Sequence, residues 1–294
     1  MTTRGMTKHL QDAPAARPRS VAGSRPKIVP AIEFRNVHLS FDESQILRGL
    51  SFKVLPGAMK VVLGGSGTGK STVLKLILGL LKPDRGQILL DGKDITAYSE
   101  TRLMRVREKI GMVFQEGALF DSLSVYDNVA YRLHERGVAE SRVEKQVRRM
   151  LRFVELEDAI DLMPDELSGG MRRRVGIARA LITNPRIVLF DEPTAGLDPP
   201  TSRVVSQLAI QLRDVRKVSS LFVTHRINIV KYLSEGHAEG GAAGGGEVRK
   251  NGEGARLPDT KILMLREGKA IFDGAFDDLR DSTDSYIKKF LRGR

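Results

Sequence analysis

From Ala31 onward the chain switches repeatedly between two hydrophobic periods. The segments IEFRNVHLSF, LSFKV, KVVLGG and GQILLDG are short, alternating or β-branched, and bounded by turn residues, which predicts a β-rich first portion. Helical spacing takes over after Gly69, again around Val143, Val147 and Leu151, and again at Val204, Val205, Leu208, Leu212 and Val215. Between those helices lie IGMVF, RIVLF and SSLFVTH, apolar runs of strand length with no polar alternation. Buried strands alternating with helices predict an α/β chain with a mostly parallel sheet covered on both faces. Toward the end, KILMLREGKAIFDG reads as a hairpin, and no internal repeat is evident.

Two stretches stand outside this rhythm. Residues 1–30 are rich in Ala, Arg, Pro and Ser without periodicity and read as a flexible basic arm. GHAEGGAAGGGEVRKNGEGARLPDT holds eight glycines between Gly236 and Gly254, and such a run loses too much backbone entropy on ordering to join a core. A mobile surface insertion over 236–259 is therefore expected. Composition bounds the rest: 294 residues with 41% hydrophobic content can bury a substantial core. The absence of cysteine excludes disulfides and thiolate metal sites. The start lacks the apolar segment of a secretory signal, and the longest greasy run, Val73 to Leu81, is too short to span a bilayer. A net charge of +12 favours an acidic partner without choosing between nucleic acid, anionic lipid and nucleotide phosphates.

The chemistry begins in GGSGTGKST. Gly64, Gly69, Lys70 and Ser71 satisfy phosphate-loop spacing after the strand KVVL and before the helical STVLKLILGLL. Glycines in such a loop turn backbone amides toward phosphates, the helix start adds partial positive charge, the lysine neutralises terminal phosphate oxygens and the serine ligates magnesium. The residues from Gly64 through Gly65, Ser66, Gly67, Thr68, Gly69, Lys70 and Ser71 to Thr72 are the candidate cradle; the plain alternative is a glycine turn capping a helix. In RIVLFDEPTAGLDP, a strand delivers Asp191 to a sheet edge where it can join a magnesium shell, and Glu192 beside it can orient or deprotonate water. Without a phosphate loop upstream, the same pattern would be a strand ending in an acidic turn.

The order phosphate loop, VFQEGALF, LSGGMRRR, FDEPTAGLDP and FVTHR resembles the ATP-binding subunit of an ABC transporter, from about Ala31 to the C-terminus apart from the glycine-rich stretch. The resemblance implies a P-loop NTPase fold with a RecA-like mostly parallel core, an antiparallel β subdomain and an inserted helical subdomain over about 116–176. It implies ATP and Mg2+ as ligands, with Ser71, Gln115 and Asp191 around the metal. Matching positions imply Glu192, His225, Gln115 and Lys70 as the catalytic set, with His225 against the γ-phosphate. Phe41 matches the aromatic residue against adenine, though a strand-end phenylalanine also suits a core. Asp198 matches an aspartate that connects two sites across a dimer. Ser168, Gly169 and Gly170 match the signature that completes the phosphate site of a second copy of the chain. Arg226 departs from the pattern, since the family commonly has an acidic residue there. Met171, Val175 and Ala178 fall on one face of the supporting helix, and its arginines are expected at solvent or the dimer surface.

FQEGALFDSLSVYDNVAYRL, GMRRRVGIARAL and YIKKFLRG are similar to ATPases of the Mla and Mce type, which energise lipid movement between bacterial membranes. That resemblance implies integral-membrane permease partners, an Mce-type lipid-binding protein, and a peripheral position on the cytoplasmic face of the inner membrane. The clusters RLMRVREK and KQVRRM suit a place beside anionic headgroups. The other readings are an ATPase of another ABC importer, a soluble ABC-type ATPase in translation or DNA repair, and a non-hydrolysing scaffold. A single ATPase half with no coiled-coil insertion argues against translation and repair, so no specific nucleic-acid binding is expected. Intact Lys70, Asp191, Glu192 and His225 argue against the scaffold.

Overall fold

The structure is a computed structural model that describes residues 1, 28–238, 248–250 and 260–292. The chain opens with β1 (Ile32–Phe41), β2 (Ser44–Val54) and β3 (Met59–Leu63), followed by α1 (Lys70–Ile77), β4 (Arg85–Leu90), β5 (Lys93–Asp94), α2 (Glu100–Arg107) and β6 (Ile110–Val113). Three helices come next, α3 (Val125–Glu135), α4 (Glu140–Phe153) and α5 (Gly169–Leu181). The remainder is β7 (Ile187–Asp191), α6 (Pro199–Asp214), β8 (Ser219–Thr224), α7 (Ile227–Glu235), β9 (Gly236–Ala238), β10 (Val248–Lys250), β11 (Thr260–Arg266), β12 (Lys269–Gly274), α8 (Phe276–Arg280) and α9 (Ser285–Leu291).

Six strands form the central sheet in the order β12-β11-β3-β8-β7-β6, parallel except for β12, which pairs antiparallel with β11. A second sheet, β2-β1-β4-β5, is antiparallel. Every residue of β3 and β8 is buried, which is why neither shows polar alternation in sequence. The period-2 geometry of strands divides those residues between two cores. Val61, Leu63, Val188, Phe190 and Phe222 pack with the helices α3 to α7 on one face. Val62, Ile187, Leu189, Leu221 and Val223 pack with α1 and the antiparallel sheet on the other. Helix α4 buries Val143, Val147, Met150 and Leu151, one stripe at helical spacing, and each such aliphatic group contributes about 1.5–3 kcal/mol on leaving water. The fold is thus the α/β P-loop arrangement, with parallel and antiparallel sheets, that the sequence implies.

The insertion expected to be mobile from Gly236 is ordered at its start. Gly236 to Ala238 form β9 and pair with β10, and both Gly236 and Ala238 are buried. Arg213, only 1% exposed, donates to the carbonyls of Gly236 at 2.7 Å and Leu233 at 2.9 Å, while Ala238 donates its amide to Asp214 at 2.8 Å. These charge-assisted bonds offset the backbone entropy on which the sequence argument relied. Residues 239–247 and 251–259, like residues 2–27 of the basic arm, lie outside the described residues.

Candidate functional site

Strand register assembles the site. Leu63 pairs with Thr224, and Asp191 pairs with Val223, so β3, β8 and β7 end level at their carboxyl edge. The next residues along each strand are Gly64, His225 and Glu192. Ligands in open parallel sheets bind beyond this edge, and here three chemically distinct groups arrive at it together.

The phosphate loop follows β3. A Cβ at Gly64 would lie 2.6 Å from the carbonyl oxygen of Leu265, so the loop can start this close to β11 only without a side chain. Gly69, at φ 96°, caps α1 in the left-handed region and offers no side-chain bond, which leaves the first amides of the helix for a ligand. Thr68 donates its hydroxyl to the Gly65 carbonyl at 2.9 Å, and Lys70 donates Nζ to the same oxygen at 2.8 Å. Burial lowers the Lys70 pKa against the opposing pull of Glu192 and Asp191, so incoming phosphate would add counter-charge to what those carboxylates supply. Gly65, Ser66, Gly67 and Thr72 complete an open cradle: Ser66 and Gly67 are exposed, and a Cβ on Gly67 would meet nothing within 4 Å.

Ser71 donates its hydroxyl to Asp191 at 3.0 Å. Burial pushes the Asp191 carboxyl above its usual range, with the Ser71 bond acting the other way. Among the described residues no cluster of three or more His, Asp or Glu side chains could hold a metal by itself. A hydroxyl beside one carboxylate next to a phosphate cradle fits magnesium, which keeps several waters and takes oxygens from substrate phosphates. Glu192 sits at φ 47°, a strained conformation for a residue with a side chain, and its Oε1 lies 2.9 Å from His225 Nδ1 and 4.0 Å from Lys70 Nζ. Its Oε2 is buried without a hydrogen-bond partner. One carboxylate oxygen is therefore engaged and the other is left to accept a proton.

The remaining expected residues occupy three other places. Phe41 ends β1 with 45% of its surface exposed, which removes the core alternative and leaves a ring face for a ligand. Gln115 is exposed in the turn two residues beyond β6, the sheet's edge strand. Ser168 caps α5, accepting from the Met171 amide at 3.2 Å, so the first-turn amides of Gly169 and Gly170 have no acceptor within the helix. A Cβ on Gly170 would come within 2.3 Å of Thr201 Cγ2, which locks the start of α5 against the start of α6. Asp198 caps α6 by accepting from the Thr201 amide at 3.0 Å, and hydrogen bonds from the Thr201 side chain and amide hold its exposed carboxyl below the usual range. The groups around Gly169 and Gly170 come from Arg173, Leu197 and Thr201, none of them in the phosphate loop.

The model of the ABC transporter family matches residues 47–195, from β2 through the turn after Glu192. The chain belongs to the ABC transporter ATPase family. It is similar to the probable ribonucleotide transport ATP-binding protein mkl of Mycobacterium leprae, 37% identical over 90% of this chain and 69% of that one. It is also similar to the intermembrane phospholipid transport system ATP-binding protein MlaF of Haemophilus influenzae, 34% identical over 89% of this chain and 90% of that one. Among solved structures, the dimeric post-hydrolysis state of the ATP-binding cassette MJ0796, bound to ADP and Pi, matches with a TM-score of 0.68. It is 28% identical and covers 83% of this chain and 98% of that one. This chain is accordingly an ATP-binding, ATP-hydrolysing transporter subunit.

The arginines of this cassette differ from expectation. Those of the signature helix, expected at solvent or the dimer surface, turn inward instead. Arg173 is 8% exposed and donates to the carbonyls of Gly169 and Ala195, while Arg174 donates to those of Val154 at 3.0 Å and Glu155 at 3.1 Å. Arg172 reaches the Leu167 carbonyl at 3.3 Å. The reason is geometric: the irregular segments at Val154, Glu155 and Ala195 leave carbonyls without ladder partners, and a guanidinium fork can reach two acceptors at once. Arg226 does likewise, donating to Thr194 at 2.8 Å and to the Ser202 hydroxyl at 3.1 Å. Its place at the N-cap of α7, where a hydroxyl or carboxylate is preferred, is a signal that sequence reasoning left unused.

Proposed function

We propose that this ATPase drives lipid movement between bacterial membranes, working as a homodimer on an integral-membrane permease at the cytoplasmic face of the inner membrane, with an Mce-type lipid-binding partner. The similarity to the MlaF phospholipid transport protein over 89% of this chain and 90% of that one carries this reading. A groove of about 510 Å³ beside Gln115, lined by Met112, Phe114, Phe120, Tyr131 and Arg179, supports a permease segment docking there. Among the described residues no helix is long and apolar enough to cross a membrane, so attachment through such a partner is consistent with the chain.

In the proposed site, Lys70 and the first amides of α1 hold the terminal phosphates, Ser71 and Asp191 hold magnesium, Gln115 approaches the same ion, and Phe41 packs on the base. Magnesium, when bound, neutralises phosphate charge and polarises the transferring group. Glu192 Oε2 takes the proton of the attacking water. With His225 Nδ1–H given to Glu192 Oε1, Nε2 carries a hydrogen only in the imidazolium, so donation to a γ-phosphate oxygen requires the doubly protonated ring. Ser168, Gly169 and Gly170 of a second copy complete the charge stabilisation, with Asp198 at the seam. Binding favours the closed dimer and hydrolysis releases it, which drives any partner whose states prefer one or the other.

A second reading, transport of another solute, is favoured by the similarity to mkl, which is named as a probable ribonucleotide transport protein. Purification from native membranes in mild detergent separates the two. Copurifying permease, Mce-type protein and phospholipid are expected, with turnover stimulated by phospholipid; a ribonucleotide-stimulated complex would support the importer. A soluble pool bound to ribosomes or DNA would refute both.

A further inference from the structure

Two guanidinium groups converge on the main-chain carbonyls of the turn between Glu192 and Asp198. Arg226 donates from Nη1 to Thr194 at 2.8 Å and to the Ser202 hydroxyl at 3.1 Å, with the Leu197 carbonyl at 3.5 Å. Arg173 donates from Nη2 to Ala195 and from Nη1 to Gly169 at 3.1 Å. Thr194 is fully buried and Arg173 nearly so. Arg226 directly follows His225, which contacts Glu192, whereas Arg173 rises from the helix that Ser168 caps. One short turn is thus tied on one side to the hydrolytic groups of this chain and on the other to the signature it presents.

The position of Arg226 carries a local cost. It is the N-cap of α7, makes no capping bond, and places a cation at the positive end of the helix. An aspartate or asparagine would serve α7 better, so helix stability does not explain the arginine. Its guanidinium instead bridges the Thr194 carbonyl and the Ser202 hydroxyl, acceptors that α7 itself cannot reach.

We propose that Arg226 and Arg173 are positioning residues that fix the 194–198 turn, so that Glu192 and His225 on one side and Asp198 and the Ser168 helix start on the other move as one body. Nucleotide state in one site is thereby transmitted to the surface that closes on the second copy. The inference rests on the composite-dimer reading and deepens it by naming the side chains that hold the turn ending at Asp198.

The test uses the full chain carrying Glu192→Gln, with Arg226→Asp, Arg226→Asn, Arg173→Gln and an Arg226→Asn/Arg173→Gln pair added. Fluorescent ATP analogue binding to the dilute chain, ATP-dependent dimerisation by sedimentation, and thermal melting are read together. Both Arg226 variants recap α7, which offsets part of the loss of the Thr194 and Ser202 bonds, so only a small fall in melting temperature is expected, and nucleotide affinity of the monomer should stay within about twofold. The ATP concentration for half-dimerisation should rise about tenfold for each single variant, and less than multiplicatively for the pair, because both arginines grip one turn. Dimerisation at the unmodified concentration would overturn the inference. So would an equal loss of monomer affinity and dimerisation, which marks a structural role. Failure of the Glu192→Gln chain itself to dimerise with ATP would overturn the dimer reading, and this inference with it.

Discussion

Replacing Glu192 with glutamine tests the hydrolytic assignment most directly, because the structure separates its two oxygens by role. Oε1 accepts from His225 at 2.9 Å and faces Lys70 at 4.0 Å, while Oε2 is buried and has no partner. A glutamine carbonyl can keep the His225 bond, but an amide in place of Oε2 cannot accept a proton. Losing a general base lowers rates by about 100- to 10,000-fold, which at about 1.36 kcal/mol per decade is a barrier increase of about 3–5 kcal/mol. Stability should change far less. The variant loses a long ion pair with Lys70 but also a repulsion with Asp191, so the net change should stay within about 1 kcal/mol. Phosphate release at saturating ATP, nucleotide binding and urea unfolding measure the three quantities. Turnover within tenfold of the parent would refute the proton-acceptor role, and parallel loss of binding and stability would make Glu192 a structural residue.

Lys70→Ala and Ser168→Arg chains should each be inactive as homodimers, while their equal mixture regains about a quarter of parental turnover, from one intact site in half the pairs; no recovery in phosphate release would place the signature in cis. Asp191→Asn should melt higher than the parent without nucleotide at neutral pH. Burial raises the native carboxyl above its unfolded value of 3.8, so the native state holds the extra proton and stability falls as pH rises through that window. The difference between the two melting curves should therefore shrink toward pH 3.8. Arg213→Met should cost about 3–5 kcal/mol in urea unfolding, because it removes the buried cation paired with the nearly buried Asp214 carboxylate and the guanidinium donors to the Gly236 and Leu233 carbonyls.

The sequence discloses the parallel core because strands buried on both faces carry continuous apolar runs, as β3, β7 and β8 do. It marks Gly64 to Ser71, Asp191 and Glu192 as candidates because phosphate and metal chemistry demands particular residue types immediately after strands, where local spacing is the signal. The roles proposed for Phe41, Gln115 and Asp198 rest only on family order, since an exposed aromatic or a helix cap has many uses. The ordering of Gly236 was hidden for a different reason. Its partner Arg213 lies 23 positions away, and nothing in a glycine run announces a buried guanidinium. The left-handed backbone of Glu192 was equally invisible, because strand pairing and the turn beyond it impose that conformation rather than the residue's own preference.

The same physics changes what the net charge of +12 means. Arg173, Arg174, Arg213 and Arg226 spend their donors on internal carbonyls, and burial lowers the pKa of the first two. Within the basic clusters that suit anionic headgroups, Arg107 pairs with Glu100 and the Leu78 carbonyl, Arg102 stacks on Tyr98, and Arg148 pairs with Glu144 at 3.0 Å. Charges already engaged in this way contribute less field to a distant surface than a formal count suggests, because each acceptor or carboxylate offsets part of it. A membrane position for this ATPase is therefore better sought in the rings of the groove at Phe114, Phe120 and Tyr131, which the engaged Arg107 also lines, than in the free charge of its basic clusters. Removing those rings should release the chain from membranes under conditions where raised salt does not, and release by salt alone would restore the electrostatic account.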